Sequence, residues 1–584
     1  MKWITRAFFF LLLVGLSPVL VAAPSDAVVE QQSEQLLREQ QQQLKLLERE
    51  RNLRELERSL RVLEPPTPEP APERAVPPVC FEITRIELRG ADNLYAFEKQ
   101  SLIEPYLNRC LTVEDIDRLR VDIDRFYIEK GWILSRAYLL PEQNLKEGVL
   151  IFQVLEGRLD GIQLNEGRLH DRLQVLTAFP GMVDEVAYIR DIEQGLEQIN
   201  RLTSNRATMD IVPVPEKPGY GQLQISNQPE DRFRYHLGYD NLGSESTGQD
   251  QGKLVADVDN LLWLNDQWMI TASQYVGGDD EEKDSESISA NLSIPYGYWT
   301  LNLNHSYSRY LTTISDNVGD FRLSGDSTTS RLKASRVVHR DRHSKTSFGM
   351  DLAHKANDSF LEDVRLDTSS RRLTIFTIDA QHVRRVPSGI WSFGAAYARG
   401  LDLFDALQDG PVRDDDVPRA QFEKLSLDVS TIQTLGVLGE GWSYRGLLSG
   451  QLSRDPLFGS EQITLGDSGT VRGFRNSPLA GDSGAYLRND LIWDLPGDSV
   501  LTRGMSLSLG LDGGYLVAIN DNLANSGEPD AWLAGVALGV QQSVSLPWRQ
   551  VLTWSATYGH PLHHPDIVEA DDHIFYASVD WKWW

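Results

Sequence analysis

"MSLSLGLDGG", Met505 to Gly514, is the stretch on which the fold turns. Side chains of an extended strand alternate between two faces. Met505, Leu507, Leu509 and Leu511 therefore share one face, and Ser506, Ser508, Gly510 and Asp512 the other. Two structures accept such a strand. A soluble antiparallel sheet has one wet face. A membrane barrel has an apolar outside and a polar lumen.

The same period extends in both directions. In "FRYHLGYDN", Phe233, Tyr235, Leu237 and Tyr239 oppose Arg234, His236 and Asp240. In "WTLNLNHSY", Trp299, Leu301 and Leu303 oppose Thr300, Asn302 and Asn304. "LTWSATYG" and the terminal "FYASVDWKW" alternate likewise, with Phe575, Ala577, Val579, Trp581 and Trp583 on the apolar face.

Three features favour the barrel. The pattern runs from about residue 231 to the end with hardly a helical interruption. Trp and Tyr recur near strand ends, where an interfacial girdle lies. Acidic connections such as "GGDDEEKDSES" (277–287) and "DGPVRDDDVP" (409–418) suit external loops. Roughly 16 candidate strands fit, a tilted strand needing about 10 residues to span.

The region before residue 231 has a different texture. Lys2 and Arg6 flank "AFFFLLLVGLSPVLV", an apolar run too short for a spanning helix, and Val21-Ala22-Ala23 offers a cleavage site. Residues 1–23 therefore read as a secretory signal peptide. Beyond it no apolar run is long enough for a transmembrane helix, which leaves strands as the means of crossing a membrane.

Residues 26–63 form a polar helical stretch without Gly or Pro. Leu46, Leu53 and Leu60 recur at a coiled-coil spacing. "EPPTPEPAPERAVPP" opens a Pro-rich linker, 64–79, which is extended and semi-stiff.

Two copies of one small α+β pattern follow, 80–156 and 157–228. In the first, "FEITRIELRG" reads as a strand, 97–107 and 113–130 as helices, and "ILSRAYLL" and "GVLIFQVLEG" as two more strands. The second repeats strand, helix, helix, strand, strand. Cys80 and Cys110 are the two cysteines of the chain. In an oxidising compartment a disulfide between them is expected, contributing roughly 3–4 kcal/mol; two separate buried thiols are the alternative.

The net charge is −27. Nucleic-acid binding, which needs a basic face, is not expected. "GDSG" at 466–469 and 481–484 resembles a serine-protease nucleophile loop, but the following residues are wrong and no His segment matches. "GHPLHHPD", with His560, His563 and His564, reads as a wet loop rather than a metal site. No enzyme activity, cofactor or metal is expected.

Together these parts resemble the outer-membrane transporters of two-partner secretion, the haemolysin-activator or TpsB family of the POTRA–barrel superfamily. "CFEITRIELRG" resembles that family's first POTRA module, "LLPEQNLKEGVLIFQVLEGRLDGI" its module junction, and "YDNLGSESTG" the opening of its barrel. "TVRGF" (470–474) and "YLRNDLIW" (486–493) resemble its loop motif and following strand. Gly466-Asp467 stands where the family usually has two glycines, and Trp584 extends the terminal strand by one residue.

The resemblance implies a transmembrane β-barrel of about 16 antiparallel strands over 231–584, two periplasmic POTRA domains and an N-terminal plug helix. It implies a loop folded into the lumen, where Arg472 meets Asp512, Gly473 turns the backbone and Phe474 packs alongside. Val471, Arg488 and Asn489 belong to the same motifs. The implied partner is a large secreted exoprotein (haemolysin, adhesin or contact-dependent toxin), captured by the POTRA domains and threaded without ATP. Further implied are a monomer embedded in outer-membrane lipid and a terminal strand read by the barrel-assembly machinery. A barrel-assembly factor of the same superfamily and a passive porin are the competing readings.

Overall fold

The computed structural model describes residues 29, 32–38 and 79–583, apart from 279–281, 317–318, 411–416, 476–478, 498, 500–501, 519–529, 567, 569 and 571–572. The expected signal peptide, most of the 26–63 helix and residues 64–78 of the linker lie outside the described residues.

Sixteen strands, from Phe233–Asp240 to Ile574–Trp583, pair antiparallel with their neighbours and close into a barrel. Closure is made by the last strand lying against the first, with Ser578 opposite Asp240 and Trp583 opposite Tyr235. A closed sheet has no edge, so every spanning backbone group finds a partner without water.

The side-chain distribution excludes the soluble sandwich. Leu507, Leu509 and Leu511 are 39%, 49% and 57% exposed, whereas Asp512 is 2% exposed. Phe233, Tyr235, Leu237 and Tyr239 also face outward, and Arg234 and Asp240 are buried. A water-soluble sheet buries the leucines instead. Lipid supplies the missing apolar phase.

Two smaller modules precede the barrel. In the first, β1 (Cys80–Ile83) and β2 (Arg85–Arg89) precede α1 (Ala96–Ile103) and β3 (Arg109–Thr112); α2 (Val113–Lys130), β4 (Arg136–Leu139) and β5 (Val149–Leu155) follow. β1 pairs with β3, and β2-β5-β4 form a separate sheet. "FEITRIELRG", read as one strand, is therefore two: the chain changes sheets at Thr84, whose amide donates to the Gly148 carbonyl. The β1–β3 ribbon carries the Cys80–Cys110 disulfide.

α2 forms where its ends are chemically satisfied. Thr112 Oγ1 accepts the Asp115 amide and the Asp115 carboxylate accepts the Thr112 amide, while Gly131 ends the helix at φ 101°. Its Ile116, Leu119, Ile123 and Tyr127 face the sheet, where Leu150 and Phe152 complete the core.

The second module runs β6 (Arg158–Leu164), α3 (Leu169–Ala178), α4 (Ile189–Asn200), β7 (Thr208–Pro213) and β8 (Tyr220–Ser226), in sheet order β6-β8-β7. Ile133 and Leu134, from the turn after α2, pack into its core beside Leu159 and Leu223. α4 in turn docks on the barrel. Gln198 Nε2 donates to the Gly297 carbonyl at 2.7 Å, and Glu197 pairs with Lys345 at 2.7 Å and with Arg340.

Two expected loops are partly strand. The acidic stretch 277–287 enters the strand Asp284–Tyr296, because Ser285 and Ser287 continue its polar face. "GHPLHHPD" is a loop only from His564 onward; His560 and His563 lie in a strand. The strand Gln550–His563 runs to His563, with only a register irregularity opposite Ala534 and Gly535. Among the described residues no cluster suits a metal ion.

Candidate functional site

Between the strands Trp442–Ser453 and Ser483–Asp494 the chain does not stay outside. The described residues of 454–482 fold back into the lumen as a packed loop. A short hairpin, Ile463–Leu465 against Leu479–Gly481, stiffens it. Ile463, Leu465, Val471, Phe474 and Leu479 of the loop bury against Tyr486, Leu516 and Leu533 of the wall. A lumen lined only by polar side chains could not hold a loop this way; here one wall is locally apolar.

At the loop's tip Arg472 is 5% exposed. Its Nε donates to Asp512 Oδ2 at 2.6 Å and its Nη2 to Asp512 Oδ1 at 2.9 Å, a two-pronged charge-assisted contact. Nη1 donates to Asp490 Oδ1 at 2.6 Å. The Arg472 amide also donates to Asp512 Oδ2, at 3.2 Å. A buried guanidinium is tolerated only when paired and hydrogen-bonded throughout, and this one meets two carboxylates.

Gly473 follows at φ 102°, and a Cβ there would stand 2.7 Å from the His560 carbonyl carbon. No other residue type fits that turn without displacing the wall. Tyr576 Oη donates to the Phe474 carbonyl at 2.7 Å, and Phe474 itself is 1% exposed. The glycine-for-Asp467 difference has a local resolution: Asp467 Oδ1 accepts the Thr470 amide at 2.8 Å, tying the loop before Val471.

The remaining motif residues divide. Arg488 Nη1 donates to the Ser468 carbonyl at 2.7 Å, and its Nε lies 3.5 Å from Asp490 Oδ2. It supports the loop from the next strand. Asn489 alternates to the other face: its side chain accepts from Tyr444 Oη and donates to the Leu511 carbonyl, outside the cluster. Its backbone reaches the site: the carbonyl accepts from Arg472 Nη2 and the amide donates to Asp512 Oδ1, each at 3.4 Å.

Sequence reasoning did not single out Asp490, Tyr576 or the glycines of the wall. Asp490 and Tyr576 were accessible in principle, since alternation from Arg488 and from Phe575 puts both inside. Gly510 and Gly535 were not. A Cβ on Gly510 would lie 2.2 Å from Arg472 Nη2, and one on Gly535 1.8 Å from the Arg472 carbonyl oxygen. Their role is the absence of a side chain at a place only the folded loop defines.

The loop has a second attachment near its start. Glu461 accepts from Lys355 Nζ at 2.6 Å and Lys424 Nζ at 2.9 Å, on two other strands. Gln451 Nε2 donates to the Glu461 carbonyl at 3.0 Å. Beside it lies the helical stretch 32–38. Val29 and Leu36 pack on the inward side chains Tyr310, Ile314 and Leu323.

Comparison with known proteins gives this architecture its context. The family model for haemolysin secretion/activation protein ShlB/FhaC/HecB matches residues 219–542, a ShlB-type POTRA domain matches 81–157, and a second POTRA domain matches 158–213. The outer membrane transporter CdiB of Dickeya dadantii is 35% identical over 84% of this chain and 85% of its own length. The hemolysin transporter protein ShlB of Serratia marcescens is 29% identical, over 79% of this chain and 80% of its own. The structure of CdiB from Escherichia coli superposes with a TM-score of 0.82 at 32% identity, covering 95% of this chain and 98% of that one. With the barrel and the paired modules in agreement, this chain belongs to the ShlB/FhaC/HecB family of haemolysin secretion/activation proteins.

Proposed function

We propose that this chain carries one large secreted protein across the outer membrane by two-partner secretion. Its barrel stands in the membrane and its POTRA modules in the periplasm. The observation that carries this reading is a closed barrel whose lumen holds a folded-in loop, continuous with two modules that each present sheet edges. β2 and β4 flank the first sheet, and β6 and β7 the second. An extended segment adds to such an edge through main-chain hydrogen bonds. The captured chain then threads the polar lumen, and its folding outside biases the motion outward. The chain has no GxxxxGK[ST] phosphate-binding motif.

In this reading the domains run 1–23 signal peptide, 26–63 plug helix, 64–79 linker, 80–156 and 157–228 POTRA domains, and 231–584 barrel. Arg472 and Asp512 hold the loop inside the lumen, with Gly473 and Phe474 shaping its tip. The protein acts as a monomer, and its terminal strand is what the barrel-assembly machinery engages. The contacts of Val29 and Leu36 with the inner wall support the plug assignment.

The test is co-expression of this chain with a candidate large exoprotein, sought first among the genes beside its own, followed by immunoblotting of medium and cell surface. Export that requires both genes supports the proposal. Normal export without this chain, combined with a general loss of other outer-membrane proteins when it is deleted, supports the barrel-assembly reading instead.

A further inference from the structure

The plug reading leaves open what holds the N-terminal segment in the lumen. Apolar burial is one part of the answer: Val29, Leu36 and Leu37 are each no more than 3% exposed. Such contact fixes no register by itself, and a charged contact can. Among the described residues of the segment, Glu34 is engaged twice. Its carboxylate pairs with Arg371 of the strand Arg371–Val386. It also accepts the Gly459 amide of the lumen loop, at 2.9 Å. Arg371 is 3% exposed in its side chain and stacks over the ring of Phe458, 4.4 Å from its centroid. Two residues after Gly459, Glu461 is held by Lys355 and Lys424.

Glu34 thus touches the wall and the loop with one carboxylate. Gly459 has no side chain to keep them apart: a Cβ there would stand 2.5 Å from Glu34 Oε2 and 2.6 Å from Arg38 Nε. The loop at 458–461 is itself positioned by the Glu461 ion pairs rather than by Arg472, which sits at the other end of the hairpin. A shift of 458–461 moves the Gly459 donor and the Phe458 ring under Arg371 together.

We propose that Glu34 is the pin that retains the N-terminal segment, and that the Lys355–Glu461–Lys424 cluster sets the pin by positioning the loop beneath it. Arg371 and the Gly459 amide form a carboxylate seat. The seat is filled by Glu34 while the lumen is closed, and it empties when the segment leaves. Glu461 is a positioning residue: it does not touch the segment, yet it controls the segment's retention. The inference rests on the plug reading above.

The experiment is single-channel conductance of the purified full chain in planar bilayers, with heat-modifiable migration confirming a folded barrel in each variant. A chain lacking 26–63 gives the fully open level. Glu34→Gln, Arg371→Gln and Gly459→Leu should each raise the open fraction at least several-fold, and the swap Glu34→Arg with Arg371→Glu should bring it back toward the parent. Glu461→Gln should raise it as well. Because that variant strands two lysines, Glu461→Gln with Lys355→Met, which keeps the net charge, is measured beside it.

Unchanged conductance in Glu34→Gln overturns the pin. A rise in Glu34→Gln without a rise in either Glu461 variant overturns the coupling through the loop. If the chain lacking 26–63 conducts like the parent, the plug reading itself fails. That outcome is distinct from failure of the pin, in which the deletion opens the channel and Glu34→Gln does not.

Discussion

Arg472 shows how a single side chain can be costly and necessary at once. Desolvating its guanidinium is offset by five hydrogen bonds: two from the side chain to Asp512, one to Asp490, one to the Asn489 carbonyl, and one from its own amide. Removing one member of such a buried pair typically costs about 3–5 kcal/mol, because the other charge stays behind. Asp512→Asn should therefore release the loop tip while the outer face of the strand, Leu507 to Leu511, still faces lipid. The expected result is a barrel that keeps its heat-modifiable migration but exports at least tenfold less partner, read by immunoblot of the medium. Gly535→Val reaches the same end by steric means, since its Cβ position overlaps the Arg472 carbonyl. Secretion at the parental level by both variants would remove the loop tip from the mechanism.

At the scale of elements, α3 and α4 together dock the periplasmic modules on the barrel, α3 through Thr177 and Gln174 and α4 through Gln198 and Glu197. Burial raises the Glu197 carboxyl, but Lys345 and Arg340 more than offset it and pull the value down to about 2 from an ordinary 4.5. A carboxylate with a depressed folded value stabilises its contact fully above its unfolded value and loses that contribution as pH falls through the folded one. The contribution of Glu197 to the docking of α4 should therefore be constant from pH 7 to about 5, weaken progressively below about 4.5 and be lost near 2. Hydrogen exchange of the α4 amides as a function of pH measures this. Glu197→Gln should flatten the dependence and raise exchange at neutral pH. The turn 131–135 acts similarly one module earlier, where Ile133 and Leu134 insert into the second module's core and join the two modules.

For the whole molecule the governing fact is which phase each face meets. Leu511 points to lipid and Asp512, its neighbour in sequence, to a loop-filled lumen. Leu511→Arg, near mid-strand, should destabilise the folded barrel by about 2–4 kcal/mol. Urea-dependent folding into phospholipid vesicles measures the change. The same substitution at Leu546, at the periplasmic end of the strand Asp530–Leu546, should cost only about 0–1 kcal/mol. Equal effects at the two positions would contradict a barrel embedded across the bilayer.

Alternation made much of this architecture legible from the chain alone. A strand's side-chain period is two by covalent geometry, so "MSLSLGLDGG" sorts its own faces, and a closed sheet is the arrangement of strands that satisfies its backbone in lipid. The duplicated module was readable for a similar reason, since α2 carries its apolar spacing and both cap signals within its own residues. Local rules did not reach contacts between distant segments. Nothing near Gly510 or Gly535 announces that an arginine returns across the lumen to lie on them. Nothing near Glu34 indicates a partner at Arg371 or at Gly459. The split of "FEITRIELRG" and the extension of "GHPLH" into a strand were likewise set by what lies alongside, β3 and β5 in one case and the neighbouring barrel strands in the other. The sequence by itself determined which face of each strand meets lipid, because that depends on covalent alternation and hydrophobicity. Only the tertiary structure decided what fills the lumen, because that depends on side chains brought together across hundreds of residues by closure of the barrel.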